Sequence, residues 1–309
     1  MELAGVAANA LVKLFLVVLV GFAAAKLNFI DENGTTALAK LVSKVTNPLK
    51  LFVSYIMAYD AAKFRGLMTS AGLMAIAMVV SIAVASIFIR EKGEYWRVER
   101  NATVLANCGF MGIPLISAVL GEEAIFYLTG CILVFNIVAW TYGITVISGR
   151  SSAKDLLKVF LSPTIIAIAA GLAVYLLQIP IPEMIHSAFS NVGSCTSPLA
   201  MLVAGATIAR TDLGKTLGRG SSWLVVLLRL LVCPLLFAVI CLFFDLPDLV
   251  FRTVFIASAC PYAVIGVTQA VMEKRTPGHA SGIFGMTALF CIGTIPLVII
   301  IQEWMSGLF

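Results

Sequence analysis

Asn107-Cys-Gly-Phe-Met-Gly-Ile-Pro114 and, half a chain later, Ser258-Ala-Cys-Pro-Tyr-Ala-Val-Ile-Gly266 decide how this sequence is read. Each sits inside a stretch long and apolar enough to cross a hydrocarbon layer as a helix of about 20 residues. Glycine and proline interrupt such a helix and free backbone N–H and C=O groups. In lipid those groups must be satisfied by protein, water or a ligand. Two interruptions in matching spans mark two broken helices that cross near the bilayer centre, where solute sites of membrane carriers are built.

Working outward, the whole chain has the same character. Of its 309 residues 61% are hydrophobic and 12% charged, against roughly half and a quarter in a soluble domain. No soluble core absorbs that much apolar surface, so the class is all-α integral membrane. Ten spans are expected, at about Ala7–Phe29, Leu38–Tyr59, Leu67–Ile89, Arg100–Leu120, Ala124–Ile147, Val159–Gln178, Ile185–Ala209, Ser221–Phe244, Leu249–Met272 and Ser281–Gln302. The first stretch, Leu11 to Ile30, lacks the small-residue cleavage site of a signal peptide and is expected to stay as a span.

Lys and Arg are unequally shared between the loops. Lys26, Lys40, Arg90, Lys92, Arg97, Arg100, Arg150, Lys154, Lys158, Arg210, Lys215, Arg219, Lys274 and Arg275 fall on one side, and only Lys63, Arg65 and Arg252 on the other. The richer side is cytoplasmic, so the expectation is a multi-pass protein of the cytoplasmic membrane with both termini outside. Tyr95 and Trp96 read as interfacial anchors.

The chain also resembles itself. Gly21 is matched by Gly171, and Val45-Thr46-Asn47-Pro48-Leu49 by Cys195-Thr196-Ser197-Pro198-Leu199, both at an offset of 150. Leu105-Ala-Asn-Cys-Gly-Phe110 resembles Ala257-Ser-Ala-Cys-Pro-Tyr262 at 152. The reading is two repeats, residues 1–150 and 151–309. Five spans are an odd number, so the second copy enters from the opposite face and the repeat is inverted.

Candidate substrate-binding residues follow from the breaks. Asn107, Cys108, Gly109, Gly112 and Pro114 lie in the fourth span, and Cys260, Pro261, Tyr262 and Gln269 in the ninth. Exposed N–H groups and positive helix ends there suit an anionic group. The other reading of each break is a plain proline kink with small residues for helix packing. Asn47-Pro48 and Ser197-Pro198 mark the second and seventh spans, as lining of the site or as structural kinks. Lys50, mid-span, reads either as attraction for an anionic substrate or as a buried pair with Asp60 or a backbone carbonyl. Lys13, Lys44 and Arg229 lie nearer a face and are expected to snorkel.

No Asp or Glu is expected deep in a span, which leaves a carboxylate proton relay without a candidate; the coupling ion, sodium or proton, stays open. Seven cysteines within apolar segments form neither a disulfide framework nor a zinc site. His186 and His279 read as interfacial residues, so no metal, cofactor or catalytic set is expected. The competing classes are an intramembrane enzyme, which lacks a nucleophile–base pair, and a channel or sensor. No nucleic-acid partner is expected.

Asn-x-Gly-x-x-Gly-x-Pro at Asn107, Gly109, Gly112 and Pro114, with ten spans, outside termini and Asn/Ser-Pro in spans two and seven, resembles the auxin efflux carrier family. That family includes bacterial malate and malonate permease-like members and the plant PIN auxin carriers. The resemblance implies a fold like that of the bile acid sodium symporters and sodium/proton antiporters. Spans one, two, six and seven would be a dimerising scaffold, so a homodimer is implied. Spans three to five and eight to ten would be a mobile transport domain working by elevator-type alternating access. The implied cargo is a small organic anion, a dicarboxylate or auxin-like carboxylate. Pro114 and Pro261 match the family's crossover prolines and Asn107 its first asparagine. Ala259 or Cys260 stands where the second asparagine is expected, a departure that leaves the substrate open.

Overall fold

The computed structural model describes residues 2–150 and 160–306. These residues form helices throughout, and among them no named strand occurs. The chain begins with α1 (Glu2–Lys26), α2 (Glu32–Leu41) and α3 (Asn47–Val53), the last two joined by a π-turn at Val42–Thr46. Then follow α4 (Ala61–Phe88), α5 (Trp96–Val104), α6 (Gly112–Leu120), α7 (Glu123–Val138), a π-turn at Ala139–Gly143, and α8 (Ile144–Ser148). The second half holds α9 (Pro163–Leu177), α10 (Glu183–Ser194), α11 (Thr196–Ala209), α12 (Leu213–Leu217) and α13 (Gly220–Leu227). A π-turn at Leu228–Val232 leads to α14 (Cys233–Cys241), then α15 (Asp248–Ala259), α16 (Val264–Met272) and α17 (Pro277–Ser306).

Among the described residues six helical runs are long and apolar enough to cross a membrane: Gly5–Lys26, Ala61–Phe88, Glu123–Ser148, Glu183–Ala209, Gly220–Cys241 and Pro277–Met305. This is an all-helical, multi-pass membrane architecture. The remaining expected spans have visible reasons for falling short. The second is a continuous helical run from Glu32 to Val53 but carries Glu32, Lys40, Lys44 and Lys50. The fourth and ninth are each cut in two, between α5 and α6 and between α15 and α16. The sixth is the 15-residue α9, preceded by residues outside the described set.

Helix α1 lies along α11 with backbones nearly touching. A Cβ on Gly205 would meet the Val18 carbonyl oxygen at 1.9 Å, and one on Gly21 the Leu202 oxygen at 2.2 Å. Only glycine permits this approach, the small-residue packing that joins helices where no hydrophobic force acts between them. Pro114 stands in the first turn of α6, which has no intrahelical acceptor for its N–H, so the missing one is not felt. Pro48 follows a π-turn within a longer helical run, Pro198 follows the turn at Cys195, and Pro296 lies inside α17.

Candidate functional site

The chain between α5 and α6 runs extended past the chain between α15 and α16. The two link as an antiparallel bridge between Ala106 and Tyr262. Asn107 N–H donates to the Pro261 carbonyl at 2.8 Å, and Ala263 N–H to the Leu105 carbonyl at 2.9 Å. Each broken helix thus meets part of its backbone demand from the other. Gly112 packs beside the crossing, where a Cβ would lie in ordinary contact with Cys260 Sγ at 3.4 Å.

Four helix ends converge at this crossing, and they are treated differently. The C-terminal ends of α5 and α15 meet a buried arginine. Arg229, 1% exposed, donates through Nη1 to the Thr103 and Val104 carbonyls, both at 3.0 Å, and through Nη2 to that of Ser258. The snorkelling expected of Arg229 is therefore overturned. The π-turn that carries it lies against α5 and α15, and helix-end carbonyls are nearer acceptors than any membrane face. Lys13 and Lys44 are exposed, as expected of snorkelling side chains.

The N-terminal end of α16 and the turn that leads into α6 open instead on a cavity of about 1150 Å³. Its inner end is formed by Asn47, Asn107, Gly109, Phe110, Val264 and Ile265. Asn47 Nδ2 reaches the Gly109 carbonyl at 3.4 Å, but Asn47 Oδ1 and Asn107 Nδ2 are buried without a partner. Ile132, Phe135 and Val267 give the wall an apolar character, and Asn136 and Thr268 add polar points. The mouth carries Lys40, Arg210, Lys215 and Arg219 with Glu32 and Asp212. The cavity therefore opens on the Lys/Arg-rich side of the chain. At the mouth the exposed Asp212 carboxyl is held below its ordinary value of 3.8, first by its hydrogen bond with Lys215.

Not every residue expected at the site faces the cavity. Asn47, Asn107 and Gly109 do. Cys108, Gly112, Pro114, Cys260 and Pro261 are buried behind the crossing, where they shape the backbone. Tyr262, fully buried, donates its hydroxyl to Asn101 Oδ1 at 2.8 Å. Gln269, also fully buried, accepts from Asn101 Nδ2 at 3.0 Å and donates to the Ala139 carbonyl at 2.7 Å. Asn101 further donates to the Gly143 carbonyl at 3.0 Å. Tyr262 and Gln269 thus tie the crossing to the π-turn at Ala139–Gly143, which frees carbonyls for them. Ser197 is half-buried and off the cavity.

Lys50 also lies off the cavity. It pairs with Glu122, not Asp60, and Glu122 is bonded to Ser117 as well. Burial works to raise the Glu122 carboxyl, but Lys50 and Ser117 outweigh it and hold it below the ordinary 4.5. Nearby, Tyr55 and Thr129 hydroxyls meet at 2.5 Å, so α3 and its C-terminal continuation are fastened to α7.

His279 is a second correction. It is 7% exposed, lines the cavity, and meets Glu99 at 3.1 Å, with the Tyr95 ring 4.4 Å away. Its partner Glu99, just before the expected fourth span, is 6% exposed. Sequence position put both near span ends; packing of α5 against α17 buries them together. Among the described residues no group of three or more His, Cys, Asp or Glu is placed to hold a metal ion.

A family model described as membrane transport protein matches residues 6–156 and 150–299. The chain belongs to this family, that of the auxin efflux carriers. A curated relative, an uncharacterized transporter of Methanothermobacter thermautotrophicus, is 24% identical over 288 residues, covering 91% of this chain and 93% of that one. Family and relative are both those of membrane transport.

Proposed function

We propose that the protein is a secondary carrier of a small organic anion, a dicarboxylate or auxin-like carboxylate, working by alternating access. One observation carries the reading: the cavity ends on the N-terminus of α16, on the turn into α6 and on two buried asparagine side chains with unpaired polar atoms. The helix N-terminus is equivalent to about half a positive charge, which suits a negative group. Asn107 Nδ2 supplies a further donor, and the apolar wall suits the body of an organic acid.

In this reading the chain is two inverted repeats, 1–150 and 151–309, ten spans in all. Helices α1–α3 and α9–α11 are the scaffold through which two copies pair, and α4–α8 and α13–α17 the moving domain. The cavity faces the cytoplasm, both termini lie outside, and the Lys50–Glu122 pair helps close the opposite side. Movement of the crossing past Asn47 would carry the solute, elevator-like.

The test is uptake of radiolabelled malonate, malate and indole-3-acetate into proteoliposomes. At least one anion is taken up above empty liposomes, and Asn107→Ala abolishes it. Wild-type kinetics in Asn107→Ala would remove the site.

A proton-coupled form of this carrier is a second reading, favoured by the buried Glu99–His279 pair on the cavity wall. Uptake that rises with an imposed proton gradient, and does so no longer in His279→Gln, supports it. A sodium gradient driving uptake instead would exclude it.

A further inference from the structure

Arg229 is a buried cation with no carboxylate partner among the described residues: it donates to three backbone carbonyls. Those carbonyls have a common origin. Thr103 and Val104 end α5, and Ser258 lies in the last turn of α15. The final carbonyls of a helix have no donor of their own, and each C-terminus is equivalent to about half a negative charge. Two such ends brought together amount to about one negative charge, and one guanidinium matches it. The side chain leaves from the π-turn Leu228–Val232, a local widening of the helix of the kind found at functional sites.

We propose that Arg229 is the positioning residue of the anion site: its fixed charge neutralises the paired C-termini and so holds the crossing with the N-terminus of α16 and the turn into α6 against the cavity. Without that charge the C-termini repel each other and oppose a bound anion across the crossing. With it, the field felt from the cavity is that of the α16 N-terminus. The part concerning the anion rests on the carrier reading above; the part concerning the helix ends does not.

The experiment uses the full chain and three variants. Arg229→Lys keeps the charge, Arg229→Met keeps the bulk, and Arg229→Ala leaves room for a small guanidinium. Two readouts are taken. Thermal unfolding of purified protein should rank wild type above Arg229→Lys above Arg229→Met. Millimolar methylguanidinium, against equal choline, should restore Arg229→Ala and leave the wild type unchanged. For a transported anion, KM should rise on the order of tenfold in Arg229→Met, the size of a helix-end charge effect, with Arg229→Lys recovering most of the loss.

Arg229→Met as stable as Arg229→Lys, or with an unchanged KM, would overturn the proposal; so would methylguanidinium acting no better than choline on an Arg229→Ala that folds. If Arg229→Ala does not fold, the Lys and Met pair alone decides. If wild type moves none of the three test anions while the stability ranking holds, the carrier reading falls and the role at the helix ends stands.

Discussion

The crossing has two faces built from the same material and finished in opposite ways. On one, the C-terminal ends of α5 and α15 are closed by a side chain of the protein itself, Arg229. On the other, the N-terminal end of α16 and the turn into α6 face a cavity, with Asn47 Oδ1 and Asn107 Nδ2 unpaired beside them. An unmet buried polar group costs about 1–3 kcal/mol. Arg229 Nε is also buried without a partner, but only the second face opens on a cavity, which is what makes it the proposed ligand site.

The sharpest way to break this comparison is to unfinish the closed face. Arg229→Met strands carbonyls bonded by a buried charge, and a loss of about 3–5 kcal/mol is expected, read as a large fall in melting temperature. Next comes the open face. Asn107→Ala should cut anion uptake by about tenfold or more while melting stays within a degree or so of wild type, because Nδ2 has no partner in the protein to lose. Loss of stability without loss of uptake at Asn107 would reverse the assignment of the two faces.

Tyr262→Phe distinguishes a ligand contact from a brace. The hydroxyl is bonded to Asn101 away from the cavity, so about 1 kcal/mol of stability should go with substrate affinity little changed. A KM effect larger than the stability effect would return Tyr262 to the site. The smallest effect concerns the Lys50–Glu122 pair, where Glu122 is largely exposed. Because its carboxyl is depressed below 4.5 in the folded chain, the pair contributes fully above that value and loses its contribution as pH falls through the lower folded one. The melting difference between wild type and Glu122→Gln should be small at neutral pH, in keeping with exposed ion pairs, and vanish in acid. A difference that grew in acid would contradict the pairing.

Much of this was legible in the residues. Gly109, Gly112, Pro114 and Pro261 together pointed to breaks; Gly109 and Pro261 lie in them, and Gly112 and Pro114 in the first turn of α6 just after one. Asn107 was readable as a polar amide beside a break. Tyr262 and Gln269 were readable as polar groups in a span, but not as members of a network with Asn101, because residues 101 and 269 meet only through the fold. Lys50 was readable as needing a partner, and Glu122 lies 72 residues away.

By itself the sequence determined the membrane class, the helical state and the positions of the two interruptions, since these follow from composition and from local backbone chemistry. The tertiary structure alone decided which way the charged and polar side chains face. A helix apolar on every side gives no periodic sign of its inner face. Arg229, Glu99 and His279 could reach water along their own helices or carbonyls and partners across to another. The choice was set by which helix ends came within a side chain's length, and that is a property of packing.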